Sequence, residues 1–591
     1  MGESPTAISR AQSDPEARAD RRQQRRRRTR RRRFAVGLAA AVAVSVLVAT
    51  IVDAANTSPK SALRSARASA THGSVPVGHG HVRNAAADAG SQSTVLGPYG
   101  VESKAIIAEN ERPGTSAWMI QGSPGAGSID GFSNPDYAAV GQSIALYVST
   151  TAPWFVVTAY RMGWYQGLGA RAVWTSPQTP GVVQPPCPLT PVTNMVSCDN
   201  WSSSLTIPIT LAFVPGDYLL KLVGSGGQQA YVPLTIWDPS SRSTYLVMNR
   251  TFTEEGWNTY GGYDFYQGHG PCPAGSAVYP PCNRARVVSL DRPFASGDGS
   301  SDFLENEYPF VEFAEEHGLD VSYVTDLTVD EHPSVILQHR TLISLDHDEA
   351  WSNPEREAAV EASAAGVNIA FLGAAALVRH VRMQASPLGP DREEVDYRDS
   401  SEDPLNGKGD PMDVTGNTWE SPPTDWSANA FVGDMYSGYL APGKTAPLVI
   451  TDASAWIFKG TGLENGSVLP GMIASDIDHL APPSQTPADL QVLGHSPIPL
   501  TDSYTNQGEW GADTYSDMTY YTNPVSEGGV FDAGDNVWVY DLKACPGTAT
   551  PCFASTIGTI TGNLLRLFGQ GPAGDLMASV ANWQTIRPLG S

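Results

Sequence analysis

The consecutive residues Asp346, His347, Asp348 and Glu349 are the part of the sequence best suited to chemistry. They directly follow a short apolar run at 340–345, which predicts a buried strand. Imidazole and carboxylate groups at the end of a strand can bind a metal ion or transfer protons. Such residues also cap helices and interact with the helix dipole, and the residue types favour neither interpretation. We take His347, Asp348 and Glu349 as candidate catalytic residues.

The elements that position this cluster belong to an α/β pattern that starts near residue 243. In this pattern, short buried strands alternate with helices, the strands at 244–248, 320–324, 340–345 and 367–372 and the helices at 310–317 and 354–365. The alternation predicts βαβ units and a parallel sheet. Ligands bind such sheets beyond the carboxyl ends of the strands, so a site is expected around 346–352 and 373–384.

The region before the α/β pattern, residues 101–240, has short runs of alternating polarity bounded by Gly, Pro, Asn and Asp. This pattern predicts an antiparallel β-sandwich. The remainder, 241–591, forms the main α/β domain, and its polar stretch 386–426 is expected to be an insertion or lid. Strand-like runs return within 493–568, including those at 516–521 and 536–540.

The six cysteines form three local pairs, with separations of 11, 10 and 7 positions: Cys187 and Cys198, Cys272 and Cys282, Cys545 and Cys552. An even number of cysteines in local pairs on an exported chain predicts three disulfides that close small loops. Metal binding is the competing interpretation, but no CxxC spacing or accompanying histidine cluster supports it.

Charge is distributed very unevenly over the 591 residues, whose formal net charge is −23. Residues 1–54 carry +7, with ten arginines between 21 and 33, which leaves −30 for the rest. The apolar segment 34–52 after a basic tail, 1–33, predicts a single-pass membrane anchor with the bulk of the chain outside, or alternatively a secretion signal. Residues 53–100 have the composition of a disordered linker. An acidic body argues against binding of nucleic acid.

Several motifs occur in an order that resembles one protein family. Residues 160–171 read YRMGWYQGLGAR, close to a YRxGYYxGxGAR signature, and matching segments follow at 307–309, 347–352, 366–373, 403–405 and 517–521. Together they resemble the large-subunit-like proteins of the N,N-dimethylformamidase family over about 105–565. The resemblance implies a β-sandwich joined to a glutamine-amidotransferase-like, flavodoxin-like α/β domain.

The resemblance also implies hydrolysis of small amides by one iron ion that two tyrosines and a glutamate bind. The first tyrosine corresponds to Tyr308, whereas the other two ligands correspond to Ala350 and Ala428. The polar stretch that the family has at the sheet edge is Gly-Ala-Ala-Ala at 373–376. An alanine methyl group offers no oxygen to a ferric ion. We therefore expect no cofactor, unless an altered site retains iron.

Two functions compete on these observations. The first is a binding or cell-envelope role, with a cell-wall or small-amide ligand, for a relative whose iron site has degenerated. The second is an active amidohydrolase with a divergent metal site, whose ligands could include Tyr323, Glu349 or Glu420. His380 and Arg382, on the next predicted loop, could contribute to a different site. The sequence predicts neither the substrate nor the oligomeric state.

A sugar-binding surface is a third interpretation of the aromatic residues in the predicted sandwich, namely Trp154, Trp164, Tyr165, Trp174 and Trp201. Large aromatic side chains are more often buried in a core than exposed for stacking on ligands. Burial is therefore the more common explanation for this set.

Overall fold

The computed structural model describes residues 94–121, 128–272, 281–480, 485–505, 514–543 and 552–586. The predicted tail and most of the predicted linker lie outside these ranges. The linker prediction extends too far, because Thr94–Leu96 is a strand paired with Val101–Ser103. The ring of Tyr99 stacks on His317 at 3.8 Å, so this segment packs against the body of the protein.

The predicted membrane anchor is contradicted within the part of the chain that the structure describes, where no helix is long and apolar enough to span a bilayer. The helix Ala554–Phe568 has 15 residues, whereas a spanning helix needs about 20. The segment 34–52 itself lies outside the described residues. We therefore do not retain the single-pass topology.

Two larger sheets occupy the region before residue 240. One has three antiparallel strands, in the order Leu205–Pro208, Ser143–Thr150, Ile129–Asn134. The other has the strand order Tyr137–Ala139, Gln229–Trp237, Gly216–Gly224, Trp154–Met162, Ala170–Thr175, with Thr179–Pro180 paired to Trp154–Met162. Alternate residues of both sheets enter one apolar cluster, which contains Ile144, Leu146, Val157 and Leu220.

The central sheet has seven strands, in the order Val321–Thr325, Tyr245–Asn249, Thr341–Asp346, Asn368–Gly373, Gly529–Asp532, Thr514–Thr522, Gln491–Ile498. The first five strands run parallel to one another. Thr514–Thr522 pairs antiparallel with Gly529–Asp532, and Gln491–Ile498 pairs antiparallel with Thr514–Thr522. Alternate residues of the strand Tyr245–Asn249 pack into two different apolar clusters. Tyr245 and Val247 belong to one cluster, and Leu246 and Met248 belong to the other. Both faces of the sheet are thus covered, which is typical of parallel strands.

Helices flank the central sheet, and two of them match sequence predictions closely, at Tyr308–Glu316 and Asn353–Ala364. The other α-helices are Lys104–Asn110, Thr251–Gly256, Phe303–Asn306, Asp326–Glu331, Trp538–Asp541, Ala554–Phe568, Gly574–Met577 and Trp583–Ile586. The strand prediction at 536–540 is wrong, because Trp538 begins a short helix that packs its indole on Phe531.

The remaining sheets are smaller. One has four strands, in the order Val287–Ser289, Gly389–Val395, Arg379–Ser386, Ala350–Ser352. Another has three, in the order Asp476–His479, Met435–Leu440, Ser503–Thr505. Two-stranded sheets pair Ala446–Val449 with Val468–Ile473 and Leu189–Thr190 with Met195–Val196.

Two of the predicted disulfides are confirmed, Cys187–Cys198 and Cys272–Cys282. Cys545 lies outside the described residues, so the pairing predicted for it stays a prediction. The first disulfide lies in a small cluster in which Cys198 and Trp201 are buried against Phe132. It therefore ties the loop of residues 187–198 to the three-stranded sheet.

We expect replacement of both Cys187 and Cys198 by alanine to lower the free energy of unfolding by about 3 kcal/mol, since the disulfide closes a loop of 11 residues in the unfolded chain. Chemical denaturation of the oxidised proteins measures the difference. The corresponding replacement of Cys272 and Cys282, which close a loop of similar length, is the matched control. A loss below 1 kcal/mol in both variants would contradict the loop-closure explanation.

Candidate functional site

The candidate site lies at the carboxyl edge of the central sheet, where two neighbouring parallel strands end together at Asp346 and Gly373. Asp346 has a left-handed backbone conformation, with φ of 53°, which turns the chain away from the sheet. The side chains of His347 and Glu349, which follow this turn, are 14% and 8% exposed. Together with Trp257, Asp476 and Arg379 they form the group that we call the cleft. His347 and Glu349 thus lie at the carboxyl edge of the sheet, where the sequence predicts a site.

The predicted catalytic cluster divides at this turn, because alternate residues point in opposite directions. The side chains of His347 and Glu349 meet, with Nε2 of the first 3.1 Å from Oε2 of the second. Asp348 points into the interior instead, where its carboxylate accepts a hydrogen bond of 2.7 Å from Ser344 and is fully buried. Asp348 therefore does not share the cleft with the other two residues.

Aromatic and acidic residues from other segments complete the cleft. The indole Nε1 of Trp257 donates a 3.0 Å hydrogen bond to Glu349, and its ring stacks on Tyr266 at 3.6 Å. Asp476 lies opposite, with Oδ2 3.9 Å from His347 Nε2. Trp257 is 39% exposed, so part of it remains open to solvent beside Tyr266.

Arg379 closes another side of the cleft, with Nε 4.0 Å from Glu349 Oε2. Its guanidinium is held by hydrogen bonds to Tyr266 and Asn417. His380 and Arg382, close to Arg379 in the chain, are predicted from the sequence as candidate site residues, whereas Trp257, Tyr266 and Asp476 are not. No local spacing indicates them, since they come from segments far apart in the chain.

Beneath the cleft, Arg250 lies at the centre of a buried ionic cluster. Its guanidinium is 2.9 Å from Glu254, 3.2 Å from Asp346 and 3.5 Å from Glu307. It also donates a 2.9 Å hydrogen bond to the backbone carbonyl of His347. Arg250 therefore fixes the backbone that carries the His347 side chain.

Burial controls the protonation states of the cleft. Burial, with smaller contributions from Arg250 and Arg379, lowers the pKa of His347 to about 3, so the imidazole is neutral at pH 7. Burial and then the nearby Glu349 raise the pKa of Asp476 to about 7. Burial also raises the pKa of Glu349, although Arg379 opposes the shift. The cleft thus combines a neutral imidazole with two carboxyl groups of reduced acidity.

Helix capping, the alternative explanation for residues 346–349, is not their role. The helix Asn353–Ala364 is capped by Ser352, whose hydroxyl accepts a 3.2 Å hydrogen bond from the Glu355 N–H. The Glu355 carboxylate accepts a bond from the Ser352 N–H in return, which completes a capping box. His347 and Glu349 are therefore not needed to begin this helix.

The three positions that correspond to iron ligands do not fit that ion. The Tyr308 hydroxyl donates to the carbonyl oxygens of Gly163 and Gly169, each at 3.1 Å. Burial raises the pKa of this hydroxyl above its ordinary value. Ala350 and Ala428 lie in the apolar cluster on the other face of the central sheet. A protonated phenol and two methyl groups supply none of the anionic oxygens that ferric iron requires.

The other candidate ligands do not converge on a common site either. The Tyr323 hydroxyl donates to Glu315 within a buried ionic cluster. His380 lies on a strand, not a loop, and stacks on Trp419 at 4.0 Å, whereas Arg382 pairs with Asp403 at 2.5 Å. Tyr323, His380 and Arg382 thus each have a partner within the protein, which is typical of structural residues. Glu420 is partly buried and, within the described part of the chain, interacts electrostatically with Arg356, a cation, and not with the other candidate ligands named above.

The aromatic residues proposed as a sugar-binding surface do not form one patch. Tyr165 is fully buried and donates a 2.8 Å hydrogen bond to Glu109, and Trp201 is 6% exposed. Trp174 packs against the core between the first two sheets. Trp154 is 38% exposed but stands apart from the buried members of the set. Burial in the core accounts for most of these residues.

Comparison with known proteins supports the family that the ordered motifs resemble. A family of proteins described as N,N-dimethylformamidase beta subunit-like, C-terminal, matches residues 156–550. The matched range contains the central sheet, the cleft and the Arg250 cluster. No protein of curated function matches the chain significantly. The match covers well over half of the sequence, so the chain belongs to the N,N-dimethylformamidase beta subunit-like family.

Proposed function

We propose that this chain is an iron-independent member of its family that binds a small amide in the cleft of His347, Glu349 and Asp476. The proposal rests on the pairing of His347 with Glu349 beside an exposed indole, at a sheet edge where the expected iron ligands are replaced. The carboxylates can accept hydrogen bonds from amide N–H groups, and the Trp257 ring can cover the planar amide.

The same cleft is less suited to hydrolysis through His347. A general base works best when its pKa is close to the working pH, whereas the pKa of His347 is about 3. Binding without turnover is therefore the function that we favour. Release of ammonia from acetamide by the purified protein, abolished by Glu349→Gln, would instead establish the competing amidohydrolase.

Two parts of the chain support a more specific fold assignment than mixed α/β. We infer that the two sheets around residues 129–237 form a β-sandwich, since they share one apolar cluster. We also infer that the seven-stranded sheet, with its five parallel strands, is the amidotransferase-like part of the chain. Its first two parallel crossovers carry helices, as such folds require.

The binding proposal predicts that acetamide binds the purified protein and that Glu349→Gln weakens binding ten- to a hundredfold, because a charge-assisted hydrogen bond is worth about 1.5–3 kcal/mol. Ligand-observed NMR titration measures the affinity. N,N-dimethylformamide, which has no N–H group, should bind more weakly than acetamide. Glu357→Gln, an exposed position on the neighbouring helix, is the matched control.

Three results would contradict the proposal: no acetamide binding, unchanged binding by Glu349→Gln, or one equivalent of bound iron with a tyrosinate-to-iron absorption band. The last result would show that the family's metal site persists in a form that the three corresponding positions do not indicate.

A further inference from the structure

Three aspartates that the cleft does not use come together where inner strands of the central sheet end. Asp532 is the last residue of Gly529–Asp532, Asp478 lies in Asp476–His479, and Asp434 directly precedes Met435–Leu440. One carboxylate oxygen of each lies within 4.8 Å of the others. The side chains are 0%, 1% and 0% exposed for Asp434, Asp478 and Asp532 respectively.

The hydrogen bonds of these aspartates are incomplete. No hydrogen bond of good geometry reaches either carboxylate oxygen of Asp532 or Asp434 Oδ1 within the described structure. The contacts that remain are a weak one from the Gly534 N–H to Asp532 and one between the Asp434 and Asp532 carboxyl groups. Asp434 Oδ2 accepts a 3.2 Å bond from Thr519, and both oxygens of Asp478 lie 2.9 Å from the backbone N of Ala375. Buried carboxylates left without donors are costly, so something else must satisfy them.

No cationic side chain performs that role. Among the described residues, none of the three aspartates forms an ion pair with a Lys, Arg or His. A proton shared between Asp434 and Asp532 would neutralise that pair but would leave Asp478 with one donor in the described structure, the backbone N–H of Ala375, for its two oxygens. Carboxylate oxygens converging from three segments of chain are the ligands that calcium and magnesium prefer.

We propose that Asp434, Asp478 and Asp532 together bind a calcium-sized divalent cation. Oxygens that bind one Ca²⁺ ion at about 2.3–2.6 Å can be at most about 5 Å apart, which agrees with the separation in this cluster. Asp476 and Asp478 are two residues apart on one strand, so their side chains point to the same side. An ion bound by Asp478 would fix this strand and thereby hold Asp476 in its position against His347. The ion would thus be structural and would stabilise one wall of the cleft.

The test uses the full chain, freed of metal with a chelator and then titrated with CaCl₂ alone in the presence of salt. We expect one equivalent of tightly bound Ca²⁺ per chain by equilibrium dialysis with elemental analysis, and a rise in Tm of several degrees. Asp532→Asn and Asp434→Asn should each weaken Ca²⁺ binding at least tenfold and remove the rise in Tm. Acetamide affinity is not part of this readout, so the proposal stands or fails separately from the proposed function.

Glu394→Gln is the matched control, because Glu394 is also fully buried and neither of its oxygens accepts a hydrogen bond in the described structure. This variant should keep the stoichiometry and the Ca²⁺-dependent rise in Tm. If the wild-type protein binds neither Ca²⁺ nor Mg²⁺ at millimolar concentration, the proposal is wrong, whether or not the variants fold. Unchanged Ca²⁺ binding by Asp532→Asn would also overturn it.

Discussion

Replacement of Arg250 by methionine is expected to lower the free energy of unfolding by about 3–5 kcal/mol at pH 8. The guanidinium is 3% exposed and lies within 3.5 Å of three carboxylates, those of Glu254, Asp346 and Glu307. Methionine fills much of the volume but leaves these carboxylates without a counter-ion. The loss therefore comes from uncompensated buried charge more than from lost packing.

The same variant should recover stability on acidification. Burial already raises the pKa of Glu254 to about 8 and that of Asp346 to about 6, in spite of the attraction from Arg250. A folded-state pKa above the unfolded value means that stability is complete below about pH 4 and is lost as the pH rises through 6 to 8. Without Arg250 both pKa values rise further, so the difference from wild type should be largest at pH 8.5 and smallest near pH 5.

Chemical denaturation at pH 8.5 and 5.5 measures both effects. Arg286→Met provides the control with the same substitution, because Arg286 pairs at 2.9 Å with Glu402, whose side chain is 36% exposed. A pair open to solvent contributes at most about 1 kcal/mol. Equal losses in the two variants, or a loss that does not depend on pH, would show that Arg250 does not neutralise the cluster.

The parts of this fold that sequence patterns predict are those with strong local signals. Pro354 is the second residue of the helix Asn353–Ala364, after the cap residue Ser352, and Gly366 lies just beyond its end, so both boundaries are indicated by the chain itself. The parallel strands read as continuous apolar runs because both faces of the sheet are covered. Local patterns also identify the edge at which His347 and Glu349 lie.

The helix Ala554–Phe568 shows where local patterns fail. It contains Gly558 and Gly562, which read as helix breakers, and several threonines, which favour strands. A Cβ atom at Gly562 would lie 2.4 Å from the ring of Tyr99, so the small residue is required by close packing with a distant part of the chain. Tertiary packing thus outweighs the intrinsic preference of these residues.

The cleft illustrates the same limit for function. The alanines at the two positions that the family resemblance assigns to iron ligands are visible in the sequence. The grouping of the cleft residues is not visible, since Trp257, Arg379 and Asp476 reach Glu349 and His347 from three separate segments. Only the folded chain shows that Asp348 belongs to the interior and that Asp476 belongs to the cleft.

The signature segment 160–171 contributes buried polar contacts to the core, and Glu315→Gln is the variant that should show their importance for stability most clearly. Glu315 binds Arg161 of the signature through contacts of 2.6 and 2.7 Å, and both side chains are fully buried. Asn110 and Tyr323 also donate hydrogen bonds to the Glu315 carboxylate. This pair joins the helix Tyr308–Glu316 to the strand Trp154–Met162 and thus connects the central sheet with the region before it.

We expect Glu315→Gln to lower the free energy of unfolding by about 3–5 kcal/mol, since it leaves the Arg161 charge buried and turns an amide N–H₂ group toward donors. Chemical denaturation measures the loss. Glu316→Gln, the same change at the adjacent exposed position, should remain within about 0.5 kcal/mol of wild type. The double variant Arg161→Leu with Glu315→Leu should be less destabilised than Glu315→Gln, because it removes both charges together. If the double variant is instead the less stable of the two, packing and hydrogen bonds of the signature, and not its buried charge pair, hold these sheets together.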